Sequence, residues 1–167
     1  MIKAIVYTSA TGFTKEYAEM ISKETGLPAY EFETAVKTLP EGEEVIYLGW
    51  MKAEAVNCFN KVKKQFNMKA LVAVGMGSNQ GQEKDIRKRH KLAAEFPVFY
   101  VQGGFRYEKL SGMNKFLMFC MKNTVGRILA KKKDRTPETD DMLELLMKGG
   151  TRVSRENIES FLEWYKK

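Results

Sequence analysis

The first fourteen residues constrain the fold of this chain more than any other segment. A short apolar run rich in Ile and Val, residues 2–7, is followed directly by Thr8-Ser9-Ala10-Thr11-Gly12-Phe13-Thr14, after which a helical pattern begins. The run is short and does not alternate strictly, which is typical of a buried parallel strand. The sequence therefore predicts a strand, a tight loop and a helix in immediate succession, as at the start of an open α/β sheet.

The loop between this strand and helix is rich in hydroxyl groups. Four of the seven residues 8–14 are Ser or Thr and one is Gly, and they stand where a helix presents its unpaired N–H groups. O–H and N–H donors of this kind surround a phosphate well, and the helix dipole favours its negative charge. The alternative is a helix start that is only well capped, but a single cap needs fewer hydroxyls than this loop contains.

Strand-like and helix-like segments alternate up to about residue 101. Further strands are predicted over residues 29–33, 45–49, 70–75 and 98–101, and helices over 13–25, 55–66 and 84–91. The link 32–45 contains Pro40 and Gly42 and is predicted to be mostly loop. Because the strand spacing suits crossover helices, we predict a five-stranded, mostly parallel α/β sheet with helices on both faces.

Extra helices are predicted after the last strand. Residues 113–133 form an apolar and basic helix, and Thr136 caps a second helix that ends at Gly149. Ser154 is predicted to cap a last helix with one apolar face, made by Ile158, Phe161, Leu162 and Tyr165. No long linker divides the chain, so all 167 residues are predicted to form one domain, with a basic helical insertion at about 111–148.

Positive charge is concentrated in one segment. The net charge is +7, and residues 100–135 contain nine Lys or Arg against two acids, while the rest of the chain is balanced. Such a segment favours an anionic partner: a phosphate ligand, an acidic protein or a membrane surface. The alternative is a basic face that serves only solubility.

The two cysteines and the single histidine limit the kinds of disulfide, metal site and catalytic site that the chain can form. Cys58 and Cys120 form no C-x-x-C pair, and no apolar run reaches the length of a membrane span, so we expect reduced thiols in a cytoplasmic protein. His90 is the only histidine, which argues against a histidine metal site and against a Ser/His triad.

Three loops fall at the carboxyl ends of predicted strands, and there the chain resembles the flavodoxin family. Residues 3–14 are similar to its FMN-phosphate signature, a strand followed by Ser/Thr-x-Thr-Gly-x-Thr. Trp50, in the loop Gly49-Trp50-Met51-Lys52, stands where flavodoxins place an aromatic residue against the flavin ring. The loop 75–81 matches the second ring-binding loop, although Ser78-Asn79-Gln80 lacks the tyrosine that flavodoxins often have there.

The region after the last strand resembles one branch of this family. Residues 101–107, which include Arg106 and Tyr107, precede a Met/Phe/Lys-rich segment, as in the flavodoxin-like menaquinone-dependent protoporphyrinogen dehydrogenases. The resemblance implies a doubly wound sheet with the strand order 2-1-3-4-5. It also implies noncovalent FMN and electron transfer or flavin-dependent oxidoreduction, with a redox protein or a quinone as partner and no nucleic acid. Two alternatives remain open: oxidation of protoporphyrinogen with a quinone acceptor, and a flavin-free module for protein interaction.

The resemblance also assigns the site. It gives the phosphate to the first loop, the ring to Trp50 and the two later loops, and it places Arg106 as a cation near the ring. The residues expected to hold FMN are Thr8, Ser9, Ala10, Thr11, Gly12, Phe13, Thr14, Trp50, Met51, Lys52, Gly75, Met76, Gly77, Ser78, Asn79 and Arg106. The basic and apolar helix is further expected to permit peripheral contact with an anionic membrane.

Two other functions of similar α/β folds do not fit these residues. A phospho-acceptor receiver domain needs carboxylates after the first strand and an Asp after the third, where this chain has Thr8-Ser9 and Gly49-Trp50. The P-loop motif of NTPases is absent, and the glycines of residues 75–81 lack the spacing of a dinucleotide fingerprint.

Overall fold

The protein has a parallel central sheet with one short antiparallel addition. The computed structural model describes residues 1–52, 54–77, 81–109, 112, 119–120, 122–131 and 134–167. Its strands are β1 (Ala4–Thr8), β2 (Ala29–Glu31), β3 (Glu44–Lys52), β4 (Ala55–Val56), β5 (Asn67–Gly75), β6 (Val98–Gln102), β7 (Gly104–Phe105) and β8 (Gly150–Thr151). The parallel order is β2-β1-β3-β5-β6, which confirms the predicted flavodoxin-like, doubly wound class. The short strands β4, which pairs with β3, and β7 and β8, which pair with each other, were not predicted.

The helices follow the strands in alternation and then accumulate at the end of the chain. They are α1 (Phe13–Thr25), α2 (Phe32–Thr38), α3 (Phe59–Gln65), α4 (Gln82–His90), α5 (Arg127–Lys131), α6 (Pro137–Lys148) and α7 (Glu159–Tyr165). Single 3₁₀ turns occur at Tyr107–Lys109 and Glu156–Ile158, and a π-helical turn at Lys122–Gly126 leads into α5.

The sheet is covered on both faces because alternate residues of each strand point to opposite sides. One core cluster joins Val6, Tyr47 and Leu71 to α2, α3 and α4, through residues such as Ala35, Phe59 and Ile86. The other joins Ile5, Leu48 and Val72 to α1 and α7, through residues such as Tyr17, Ile21 and Phe161. The strands therefore have apolar residues on both faces, as parallel strands do when helices cover both sides.

The strand register places four loops side by side. Thr8 pairs with Gly49, Gly49 pairs with Ala73, and Gly75 pairs with Gln102. The carboxyl ends of β1, β3, β5 and β6 therefore share one edge of the sheet. Open α/β sheets bind their ligands in the crevice outside this edge.

Two predictions on the first half of the chain were wrong in detail. Residues 32–38, predicted as strand end and loop, form α2, because Phe32, Ala35 and Leu39 have helical spacing and pack on the core. The predicted helix 55–66 begins only at Phe59, because Ala55 and Val56 continue β3 as a hairpin.

The C-terminal predictions had mixed outcomes. Thr136 caps α6 as predicted, since its Oγ1 accepts the Thr139 N–H at 3.3 Å. The apolar face of the last helix is also confirmed, with Ile158 and Phe161 buried. Ser154 is not the cap residue, because a 3₁₀ turn that starts at Glu156, with Arg155 as its cap, precedes α7. Of the predicted helix 113–133, residues 113–118, 121 and 132–133 lie outside the described residues.

A pair of glycines after β6 connects the sheet to α1 and to β8. A Cβ built on Gly104 would collide with the backbone carbonyl of Gly150 and lie 2.8 Å from Cζ of Phe13. A Cβ on Gly103 would lie 2.9 Å from Cγ1 of Val74 and 3.2 Å from Cβ of Phe13. These contacts leave no room for a side chain at either position.

We therefore expect Gly104→Ala to destabilise the protein by about 1–3 kcal/mol, because the Gly150 backbone and the buried Phe13 ring must move to admit the methyl group. Gly77→Ala is the matched control, since the nearest atom to its Cβ would be 3.7 Å away. Urea unfolding followed by circular dichroism measures both variants. Equal unfolding midpoints for the two would contradict the close packing at Gly104.

Candidate functional site

The loop between β1 and α1 forms the centre of the candidate site. Gly12 has φ 100°, a left-handed backbone conformation that residues with a Cβ rarely adopt. Its N–H donates to Oγ of Ser9 at 3.1 Å, which closes the loop on itself. Gly12 is also the cap residue of α1 and has no side chain with which to cap it. The first-turn N–H groups of a 13-residue helix therefore face the carboxyl edge of the sheet.

The four hydroxyl side chains of this loop have different environments. Thr8 and Thr14 are buried, whereas Ser9 and Thr11 are partly exposed and Ala10 between them is exposed. The Thr8 hydroxyl lies 2.9 Å from the hydroxyl of Tyr47, whose proton is donated to the Asn57 carbonyl. Thr8 is therefore the donor to Tyr47, and its hydroxyl proton is directed into the protein. Ser9 and Thr11 are the side chains of this loop placed to meet a ligand.

The side chain of Arg106, which follows β7, packs against the β1–α1 loop. Its Nη1 donates to the carbonyl of Thr11 at 3.3 Å and to Oε1 of Glu16 at 2.6 Å. Its guanidinium carbon stands 4.2 Å from the centroid of the Phe13 ring, a cation–π distance. Nζ of Lys109 lies 3.7 Å from the position that a Cβ on Gly12 would occupy. Two cations thus stand over the loop, and sequence reasoning had placed Arg106 near the flavin ring instead.

The predicted ring residues of the second loop continue β3 instead of leaving it. Trp50 pairs with Val74 of β5, and Met51 and Lys52 pair with Val56 and Ala55 of β4. Trp50 and Met51 are partly buried and Lys52 is exposed. These three residues therefore stand on a hairpin at the carboxyl edge.

His90 supports this hairpin from α4. Its Nε2 accepts the N–H of Val56 at 2.9 Å, and its ring packs against Phe59 with centroids 4.1 Å apart. Burial, and secondarily the charge of Arg89, lower the pKa of His90 below its ordinary 6.5. The neutral imidazole is therefore favoured, because only this form accepts a hydrogen bond at Nε2.

The loop after β5 is held by side chains from β6. Tyr100 donates its hydroxyl proton to the carbonyl of Gly77 at 3.1 Å, and Gln102 donates from Nε2 to the carbonyl of Met76 at 3.0 Å. Burial raises the pKa of Tyr100 to about 12, so the hydroxyl keeps its proton at neutral pH. Gly75, Met76 and Gly77 thus lie at the edge as predicted, whereas Ser78 and Asn79 lie outside the described residues.

Gln102 also connects the site to the C-terminal helices. Its Nε2 donates to Oδ2 of Asp141 in α6 at 2.6 Å, and Oδ1 of Asp141 accepts from Nε of Arg152 at 2.7 Å. The adjacent carbonyl of Gln102 accepts the Tyr17 hydroxyl at 2.6 Å. One residue at the end of β6 therefore bonds to α1, α6 and the loop after β5.

The side chains that organise this edge and that sequence reasoning missed include Glu16, Gln102, Lys109 and Asp141. Glu16 carries a visible signal, an acid in the first turn of α1, and Gln102 is the polar residue that ends an apolar strand. Lys109 and Asp141 carry none, because their positions depend on how the chain folds back after β6.

In comparisons with known proteins, no family model matches this sequence, and no curated protein matches it. Among the described residues, no helix is both long enough and apolar enough to cross a bilayer. The fold and the geometry of the carboxyl edge are therefore the features that bear on function.

From the environment of His90 we expect the stability that it contributes at the β3–β4 hairpin to depend on pH. Since the folded pKa of His90 is depressed, the unfolded chain binds more protons as pH falls. The stability from neutral His90 is fully present above about pH 6.5 and is lost as pH falls through the folded pKa. NMR of the single histidine should give a pKa below 6.5. A measured pKa at or above the ordinary value would contradict the bond from Val56.

The control for this pH dependence is His90→Gln, whose side-chain carbonyl accepts the Val56 N–H at every pH. The loss of stability between about pH 7 and pH 5 should be smaller in this variant than in the wild-type protein.

Proposed function

We propose that the protein binds FMN noncovalently at the carboxyl edge of its sheet and transfers electrons through it. The observation that carries the proposal is the β1–α1 loop. Its glycine, Gly12, has a left-handed backbone and leaves the N-terminus of α1 without a side-chain cap. Two cations lie beside the loop, and Trp50 lies on the same edge of the sheet. A phosphate monoester fits the first set of groups, and we expect a planar aromatic ring system to pack beside Trp50 on the β3–β4 hairpin.

The donor chemistry of the loop supports a phosphate as ligand. Partly exposed Ser9 and Thr11 provide hydroxyl groups, and the first turn of α1 provides N–H groups aligned with its dipole. The left-handed backbone at Gly12 lets a ligand approach the main chain closely, as a residue with a Cβ would not. The residues present therefore fit the phosphate end of FMN.

When bound, FMN would supply the redox chemistry. The chain binds and orients it: Ser9, Thr11 and the α1 N–H groups hold the phosphate, and Trp50 packs against the ring. Backbone groups of Met51, Met76 and Gly77 meet its polar edge. Tyr100 and Gln102 keep the loop after β5 in place by bonding two of its carbonyls. The electron acceptor we propose is a redox protein or a quinone.

The described part of the basic segment supports a second element of the proposal, peripheral contact with an anionic membrane from the cytoplasmic side. Ile128 in α5 is 68% exposed and Phe119 is 52% exposed. Arg127 and Lys131, on the same short helix as Ile128, are exposed as well. Exposed apolar side chains beside cations are typical of interfacial segments, and a quinone dissolved in the bilayer requires such contact.

The cofactor proposal predicts a yellow protein that releases FMN on denaturation. FMN should bind much more tightly than riboflavin, because the loop recognises the phosphate. Thr11→Ala should weaken FMN binding by about 1–3 kcal/mol if it leaves a phosphate oxygen unpaired. The control is Thr38→Ala, an exposed threonine of α2 on another part of the surface. Absorbance spectra, chromatography of the released chromophore and titration calorimetry measure these effects.

If calorimetry with FMN shows no binding to wild-type protein that has been freed of any chromophore and refolded, the flavin assignment fails. The alternative from the sequence, a flavin-free flavodoxin-like module for protein interaction, then replaces it. Equal affinities for FMN and riboflavin would locate the recognition outside the β1–α1 loop.

The membrane proposal predicts cosedimentation with vesicles that contain anionic lipid, weakened by salt. Ile128→Ser should reduce binding, since burying an Ile side chain contributes up to about 1.5–3 kcal/mol. Val36→Ser is the matched control, because Val36 is an exposed β-branched residue of α2. Equal binding to neutral and anionic vesicles would contradict the role of the cations.

A further inference from the structure

Two cations of the segment after β6 converge on the β1–α1 loop. Arg106 contacts three of its neighbours at once: the Thr11 carbonyl, the Phe13 ring and the Glu16 carboxylate. Its side chain is 25% exposed, so it is largely desolvated where it meets the loop. Nζ of Lys109, one 3₁₀ turn later, also lies close to Gly12. The two charges reach the loop because Gly103 and Gly104 let the chain pass directly over Phe13.

The position of these cations relative to Gly12 suggests their role. A Cβ on Gly12 would lie 3.1 Å from Nη1 of Arg106, 3.7 Å from Nζ of Lys109 and 3.8 Å from Oε1 of Glu16. Both cations are therefore within reach of an anion bound against the Gly12 backbone. Arg106 has five N–H donors in a planar fork, and Nη1 alone makes the bonds to Thr11 and Glu16 described above. The fork suits two oxygens of a phosphate.

We propose that Arg106 and Lys109 are specificity-determining residues that select a terminal, doubly charged phosphate at the β1–α1 loop. The inference rests on the proposed function. In addition to the neutral hydroxyl and N–H donors of the loop, Arg106 and Lys109 provide positive charge for the phosphate. A phosphate monoester carries a charge of about −1.5 to −2 at neutral pH, which two cations neutralise. Riboflavin, without the phosphate, gains nothing from them.

Glu16 opposes this selection. It holds Arg106 at 2.6 Å and places a carboxylate near the position where a phosphate meets Gly12. A phosphate at the loop therefore competes with Glu16 for the guanidinium and is repelled by its charge. Removing the charge of Glu16 should strengthen phosphate binding, whereas removing the charge of Arg106 should weaken it. Opposite effects from two bonded partners are not expected if the ion pair only stabilises the fold.

The experiment measures FMN and riboflavin affinities of the full chain by titration calorimetry. Arg106→Gln should weaken FMN binding by about tenfold or more, the loss expected for a charge-assisted hydrogen bond, with riboflavin unchanged. Lys109→Gln should have a smaller effect of the same sign, and Arg106→Lys an intermediate one. Glu16→Gln should tighten FMN binding. Higher salt should weaken FMN binding more in the wild type than in Arg106→Gln.

Arg155→Gln is the matched control. Arg155 pairs with Glu24 at 2.9 Å, which is the same type of ion pair on α1, at the far end of that helix. The control should leave FMN affinity unchanged. Unfolding by urea, measured for every variant, separates loss of binding from loss of structure.

The outcomes distinguish this inference from the proposed function. FMN binding by the wild type with unchanged affinity in folded Arg106→Gln would overturn the inference alone. Weaker binding of FMN in both Arg106→Gln and Glu16→Gln would also overturn it, because the ion pair would then act only on the structure of the loop. No FMN binding by the wild type would overturn both.

Discussion

Three buried tyrosine hydroxyls hold the carboxyl edge of the sheet together. Tyr47 accepts from Thr8 and donates to Asn57, Tyr100 donates to Gly77, and Tyr17 donates to the Gln102 carbonyl. Burial raises the pKa of each hydroxyl, so all three keep their protons and remain donors at neutral pH. A buried donor or acceptor without a partner costs about 1–3 kcal/mol, so these bonds fix the loops at this edge in one arrangement. The candidate site depends on that arrangement.

The resemblance to flavodoxins predicted the strand order, and the parallel sheet itself was predictable because short apolar runs, separated by helix-length links, leave few alternatives. The hairpin β3–β4 was not, since Ala55, Phe59, Val62 and Phe66 have the spacing of one continuous helix. The strand pairing of Lys52 with Ala55 overrides that pattern locally. The position of Arg106 likewise could not be predicted from the sequence. It requires Gly103 and Gly104 to pack on Phe13, which lies about ninety residues earlier in the chain.

The glycines of the candidate site do not all support a ligand. A Cβ on Gly75 would collide with the Tyr100 ring, and a Cβ on Gly49 would collide with Val56. Packing within the protein therefore explains these two glycines without a flavin. Gly12 is different, since its φ of 100° excludes most side chains and the three atoms nearest to its Cβ position are the ends of flexible charged side chains. The first loop consequently supports a bound phosphate, and the glycine content of the other loops supports it much less.

The basic segment has two structural roles at different distances from the sheet. Its first two cations, Arg106 and Lys109, fold back over the β1–α1 loop, whereas Arg127 and Lys131 are exposed on α5. Between the segment and the end of the chain, Asp141 binds both Gln102 and Arg152, which ties α6 to the end of β6. Gln102 in turn donates to the Met76 carbonyl. The side chains of Asp141 and Gln102 therefore link α6 to the loop after β5. Hydrogen bonds therefore connect the C-terminal extension to the proposed ring site. The cations at the start of the basic segment, Arg106 and Lys109, lie beside the proposed phosphate site.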